Sequence, residues 1–231
     1  MIEVFRRTEK KFVLSEEEYH KLMKLIGDKI YKDPYYKSTI CNIYFDTLHH
    51  DLIMKSLEKP IYKEKVRLRS YGVPTMEDNV FLEIKKKYKG VVGKRRITLK
   101  LKDFYNYIDK GIIPNCNKQI MGELDYCFKY YNLKPSMFLA YDRYSYYDKN
   151  DKNFRITIDH NIRSREDDLR IENGDYGNKY FKERMYIMEA KALDAYPIWF
   201  IKALSELKVY SASFSKYGSI YSKNLKEGLY V

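Results

Sequence analysis

The chain has 231 residues, and its 44 Lys and Arg exceed its 32 Asp and Glu to give a formal net charge of +12, which favours anionic partners such as nucleic acid, an anionic membrane surface, nucleotide or polyphosphate. Apolar and aromatic residues make up 45% of the chain against six prolines and ten glycines, which excludes extended disorder and leaves material for a core. No apolar run approaches the roughly 20 residues that cross a bilayer, so no membrane span is expected and a cytoplasmic location is.

In chain order, Glu3–Leu14 reads as a strand that runs into a helix at Ser15. There Ser15-Glu16-Glu17-Glu18 has the form of a capping box ahead of Tyr19, Leu22, Leu25 and Ile26 at helical spacing. Thr39–Asp46 is β-branched and aromatic, Leu48–Leu57 suits a short helix, and Tyr62–Tyr71 is the next strand, ended by Gly72 and Pro74. Val80–Tyr88 and Val92–Leu99 form a hairpin through Lys89-Gly90. Leu101, Phe104, Tyr105 and Ile108 repeat as a helix that stops near Gly111, and a second helix covers Lys118–Tyr131. Strands resume at Met137–Tyr147 and Phe154–Ile162, on either side of the turn-forming Asp148-Lys149-Asn150-Asp151, and again at Arg184–Ala192. Pro197 opens a helix through Leu207, and Ser213–Lys223 suits a last short one. The pattern is β-rich α+β, and with no Pro, Gly or Ser-rich divider a single domain over residues 1–231 is expected. Three cysteines without a CxxC pair, Cys41, Cys116 and Cys127, fit free thiols rather than a zinc site.

Side chains of a strand alternate between two faces, so residues two apart share one. That rule gathers Glu9 with Lys11, Arg67 with Arg69, Glu83 with Lys85, Lys94 with Arg96, Arg155 with Thr157 and Asp159, and Glu189 with Lys191. The alternate positions, Val66 and Leu68, Leu82 and Ile84, Ile156 and Ile158, Met188 and Ala190, are apolar and belong inside. With Arg143 added, the charged positions hold nine cations against the carboxylates of Glu9, Glu83, Asp159 and Glu189, an excess of five. Arg and Lys in strand centres repel across neighbouring strands, and a chain of phosphates would relieve that repulsion. A half-exposed sheet facing water and a curved or closed sheet lined with cations both satisfy the alternation.

Arg7-x-Glu9-x-Lys11-Phe12, Tyr44-Phe45-Asp46, Lys65-Val66-Arg67-Leu68-Arg69, Leu82-Glu83-Ile84-Lys85 and Lys94-Arg95-Arg96 resemble, in this order, the VTC-type polyphosphate polymerase domain. Tyr141-Asp142-Arg143-Tyr144, Arg155-Ile156-Thr157-Ile158-Asp159, Met188-Glu189-Ala190-Lys191 and Ser213-Phe214-Ser215-Lys216-Tyr217 continue the resemblance, which extends from about Phe5 to Tyr217. It places the chain among the triphosphate tunnel metalloenzymes and implies a closed antiparallel β-barrel with short helices packed outside. It also implies transfer of the ATP γ-phosphate to a growing inorganic polyphosphate, with Mn²⁺ or Mg²⁺ as cofactor and ATP and polyphosphate as partners. Carried over by position, Lys11, Arg67, Arg69, Lys85, Lys94, Arg143, Arg155 and Lys216 would bind phosphate. Arg67, Arg69, Arg143 and Arg155 would be the catalytic clamp, and Glu189 with a contribution from Glu9 would hold the metal. Arg7 stands where the triphosphatase and cyclase branch carries the first glutamate of Glu-x-Glu-x-Lys, which points away from hydrolase and cyclase chemistry. The regulatory and membrane-spanning regions of the eukaryotic polymerases have no counterpart in this sequence, so a free-standing catalytic domain is expected.

The plainer reading of each arginine is a structural ion pair with Glu83 or Asp159, and of Lys191 a partner for Glu189. Two other functions use the same residues: a triphosphatase that passes phosphate to water, and a non-catalytic binder of polyphosphate or nucleic acid. No specific nucleic acid is expected, because the cations lie on strand-alternating positions beside carboxylates and no helix carries a basic stripe.

Overall fold

The computed structural model describes residues 8–228. Its elements run β1 (Thr8–Ser15), α1 (Glu16–Ile26), β2 (Ile30–Asp46), α2 (Asp51–Leu57), β3 (Tyr62–Tyr71), β4 (Asn79–Tyr88), β5 (Val91–Lys100), α3 (Leu101–Lys110), α4 (Lys118–Tyr130), β6 (Lys134–Asp148), β7 (Arg155–Arg165), β8 (Asn178–Lys179), β9 (Met185–Ala192), α5 (Ile198–Glu206) and α6 (Lys216–Lys226). Arg7 and the expected strand before Thr8 lie outside the described residues.

The strands pair in the order β1-β9-β7-β6-β2-β3-β4-β5, with β8 on β7. This corrects the closed barrel, and the tunnel with it: the order has two ends, β1 and β5, and among the described residues no pairing joins them. Alternation sets which face a residue occupies but is silent on which edges meet. Each edge here has its own reason to stop. The outer edge of β1 is engaged by coil, since the Ala212 N–H donates to the Lys11 carbonyl at 2.8 Å. On the other edge, β5 is exposed from Val91 to Arg96 and carries Lys94, Arg95 and Arg96, charges that keep a strand edge from pairing further.

The chain forms two compact units. The first comprises residues up to Thr39, Tyr141–Ile162 and Lys179–Ser215; the second comprises Ile40–Ala140, Arg163–Asn178 and the residues from Lys216 on. Each has its own core. In the first, Phe12, Leu14, Ile156, Ile158 and Met188 of the strands pack with Leu22 and Ile26 of α1 and Phe200 of α5. The capping box starts α1 as the sequence predicts: the Ser15 hydroxyl accepts from the Glu18 N–H at 3.1 Å, and the Glu18 carboxylate accepts from the Ser15 N–H at 2.7 Å.

In the second unit, Ile43, Phe45, Val66, Leu68, Leu82, Ile84, Ile97 and Leu99 form an apolar strand face. Leu101 and Phe104 of α3 and Met121, Leu124 and Phe128 of α4 cover it. Each fully buried side chain of this kind contributes about 1.5–3 kcal/mol. Gly111 ends α3 at φ 69°, where its N–H caps the Tyr107 carbonyl in a conformation that costs glycine little. Cys41, Cys116 and Cys127 are all free thiols.

Candidate functional site

Burying the apolar face of β2 to β5 forces the other face of the same strands to carry the polar residues, and the register brings them into rows. One row runs Tyr44, Arg67, Glu83, Arg96; the next runs Asn42, Arg69, Phe81, Thr98; a third sets Lys65, Lys85 and Lys94 abreast. Three cations converge on Glu83. Arg67 Nε and Nη2 each stand 2.7 Å from its Oε2, Lys94 Nζ is 2.6 Å from its Oε1, and Arg69 Nε is 3.9 Å away. Arg69 also donates to the Asn42 side-chain oxygen at 3.1 Å.

Glu83 is 1% exposed, so its charge depends on those neighbours. Burial pushes its carboxyl up, but the Arg67 and Arg69 guanidiniums and the Lys94 ammonium more than reverse this and hold it down at about 2. Burial also pulls Lys94 down to about 8: it outweighs the attraction of Glu83, and repulsion from Arg69 and Arg67 adds to it. One carboxylate therefore serves three cations, while Lys85 and Arg96 stand exposed beside them. The Arg96 guanidinium lies over the Phe81 ring at 4.8 Å. This surface offers charge-assisted donors to an anion with several oxygens.

The rows include residues that the motif reading did not assign. Lys65 shares the parity of Arg67 and Arg69, so extending the alternation by one step would have found it. Asn42 and Tyr44 hold Arg69 and Arg67 as neutral acceptors of guanidinium hydrogen bonds, which charge counting does not register. Helix α6 supplies the rest. Its first residue, Lys216, is 8% exposed, and Tyr217 stacks on Tyr44 with ring centroids 4.4 Å apart. Most of the helices cover apolar strand faces as expected, but α6 lies against the polar one.

The first unit carries a second charged group. Register sets Glu189 between Lys11 of β1 and Thr157 of β7, and Lys191 between Glu9 of β1 and Arg155 of β7. Lys11 Nζ is 3.2 Å from Glu189 Oε1 and donates to the Phe214 carbonyl at 3.1 Å. Lys191 lies 3.0 Å from Glu189 Oε2 and 3.9 Å from Glu9. Arg143 forks onto the fully buried Asp159 through two bonds of 2.6 and 2.8 Å. The plainer readings of Arg67, Arg143 and Lys191 thus describe real contacts. Arg155 is exposed.

Among the described residues no three His, Cys, Asp or Glu side chains gather into a group that could hold a metal. Glu189 and Glu9 offer at most two carboxylates, with lysines alongside. Mg²⁺ commonly takes one or two carboxylates and completes its shell with water and substrate phosphate, and the pair fits that lean donor set. It does not fit an all-protein cage.

Residues 6–223 match the VTC domain family. The chain belongs to that family. The match takes in all of the charged rows, from Lys11 to Lys216, in both units of this VTC domain. Solved structures share its fold at low identity. One is a Bacillus halodurans protein provisionally assigned as an adenylate cyclase, 15% identical over 90% of this chain and 92% of that one, with a TM-score of 0.57. Another is a Hippeastrum protein provisionally named an adenylyl cyclase and described as having a dominant triphosphatase activity; it is 13% identical over 94% of this chain and 96% of that one, with a TM-score of 0.51. No curated protein matches the chain. No helix of the described residues is long and apolar enough to cross a membrane.

Proposed function

We propose that this VTC domain is a polyphosphate polymerase that moves the γ-phosphoryl group of ATP onto the end of an inorganic polyphosphate. The observation that carries the reading is the convergence of Arg67, Arg69 and Lys94 on the single buried carboxylate of Glu83. Such a cluster is cation-rich, preorganised by hydrogen bonds, and lies on a polar strand face where Lys85 and Arg96 extend it. Family membership supports the phosphate chemistry, and the nucleotide-related names of proteins with this fold agree with it.

In this reading Arg67, Arg69, Lys85, Lys94 and Lys216 of one unit, and Lys11, Arg143 and Arg155 of the other, bind phosphate oxygens. A terminal oxygen of the acceptor chain attacks the γ-phosphorus in line, the bond to the β-phosphate bridging oxygen breaks, and ADP leaves with that electron pair. The attacking oxygen is already anionic, so no general base is needed. The arginines, Arg67 and Arg69 in one unit and Arg143 and Arg155 in the other, act by positioning phosphate groups and by offsetting the charge that spreads over phosphate oxygens in the transition state. Glu189 with Glu9 would hold Mn²⁺ or Mg²⁺, which when bound neutralises phosphate charge.

The test is to incubate the purified protein with ATP and Mn²⁺, with and without a short polyphosphate primer, and to resolve ADP, free phosphate and long chains. Long chains with stoichiometric ADP are expected. Free phosphate without chains would make water the acceptor and the protein a triphosphatase. No turnover alongside tight polyphosphate binding would make it a binding module.

A further inference from the structure

The pairing of Tyr44 with Tyr217 has no role in phosphate chemistry itself, yet it touches Arg67, which does, and adjoins Lys216 in the chain. The Tyr44 hydroxyl accepts a hydrogen bond from Arg67 Nη1 at 3.2 Å, and that guanidinium is the one that holds Glu83. The rings of Tyr44 and Tyr217 are nearly parallel, at 16°. On its far side Tyr217 is tied down: its hydroxyl donates to Asp46 Oδ2 at 3.0 Å and lies 3.2 Å from Ser136 Oγ. Asp46 is itself fixed by the N–H groups of Thr47, Leu52 and Ile53, at 2.8, 2.9 and 3.0 Å. An anchored carboxylate therefore holds a tyrosine, which holds a second tyrosine, which holds the arginine. Lys216, next to Tyr217 in the chain, is carried into the same place by the docking of α6.

From this chain of contacts we infer that Tyr217 is a positioning residue: stacked on Tyr44, it sets Arg67 in the orientation that receives phosphate, and α6 completes the second unit's cationic surface only while that stack is made. The inference rests on the phosphate reading above. A guanidinium on a strand has several rotamers, and each one it must abandon on binding weakens affinity; a fixed acceptor at Nη1 with a carboxylate at Nε and Nη2 leaves it one. Asp46 and Ser136 act at one remove, through the Tyr217 hydroxyl.

The experiment is a double-mutant cycle read by calorimetric binding of tripolyphosphate to the full chain, with variants Tyr217→Leu, Arg67→Ala and the pair. Tyr217→Leu is expected to weaken binding about tenfold in the wild-type background and clearly less once Arg67 is gone, the remaining loss being that of Lys216, since residues coupled through a shared contact are not additive. Tyr217→Phe, which keeps the stacking ring but loses the hydroxyl that Asp46 and Ser136 hold, should recover only part of the affinity. Should Tyr217→Leu fail to fold, Tyr44→Leu enters the same cycle, because it breaks the stack from the strand side. Equal losses with and without Arg67, or wild-type affinity in the Leu variant, would overturn the positioning role while the phosphate reading stood. No binding of tripolyphosphate by the wild type would overturn the phosphate reading and the inference with it.

Discussion

Replacing Glu83 with Gln removes the only carboxylate that Arg67, Arg69 and Lys94 share in the described contacts, while keeping nearly the same shape. Lowering that carboxyl from 4.5 to about 2 corresponds to about 3 kcal/mol of folding stability at neutral pH, at about 1.4 kcal/mol per pH unit. The usual cost of breaking a buried ion pair, about 3–5 kcal/mol, agrees with this. The folded value is the lower one, so the contribution is complete above the unfolded value of 4.5 and is lost as the pH falls toward about 2. Urea unfolding at neutral pH should show Glu83→Gln less stable than wild type by about 3 kcal/mol, with the gap closing in acid. Tripolyphosphate should stabilise the variant more than the wild type, because the anion then supplies the negative charge that the three cations lack. Equal stability of variant and wild type at neutral pH would refute the account of Glu83 as the counter-charge of the site. An equal gain from tripolyphosphate in both would refute the idea that phosphate occupies the position of that charge.

Three further outcomes follow from the same geometry. Lys94, pulled down to about 8, should lose its proton as the pH rises past neutrality, so tripolyphosphate affinity should fall between about pH 7 and about pH 9, and Lys94→Arg should flatten that profile. The unfolded chain binds more protons than the folded one over that range, so Lys94 adds stability as the pH rises and unfolding does not explain the lost affinity. Arg143→Ala leaves the fully buried Asp159 without its fork and should cost about 3–5 kcal/mol in chemical denaturation; Arg143→Lys, which keeps the charge but loses one of the two bonds, should recover only part. Ser15→Ala removes the capping box of α1 and should cost about 1 kcal/mol in stability while leaving tripolyphosphate affinity unchanged, which makes it a control for the site variants.

Strand β3 runs Tyr62–Tyr71, the bounds that its alternation and the following Gly72 predict, and Ser15 caps α1 as written in the sequence. These features depend on residues within a few positions of one another, so their physics can be read along the chain. So can the identity of the charged face, because alternation is a property of one strand. Strand β2 is the instructive exception: it begins at Ile30, well before the expected Thr39, and passes through Asp33 and Pro34, residues that argue against a strand when read locally. Pairing with neighbours distant in sequence overrides that preference.

Only tertiary structure decided the rest. Among the described residues the sheet ends at β1 and β5, where coil meets Lys11 on one side and exposed charges line the other, and periodicity contains no such information. Register turned Glu83 from one of several carboxylates into the shared partner of three cations, and the docking of α6 turned Lys216 from an ordinary helical lysine into a buried one beside Tyr217. The sequence by itself determined which residues carry charge and which strand face they occupy; which of them meet depended on contacts between segments far apart in the chain, whose energies do not exist until the chain has folded.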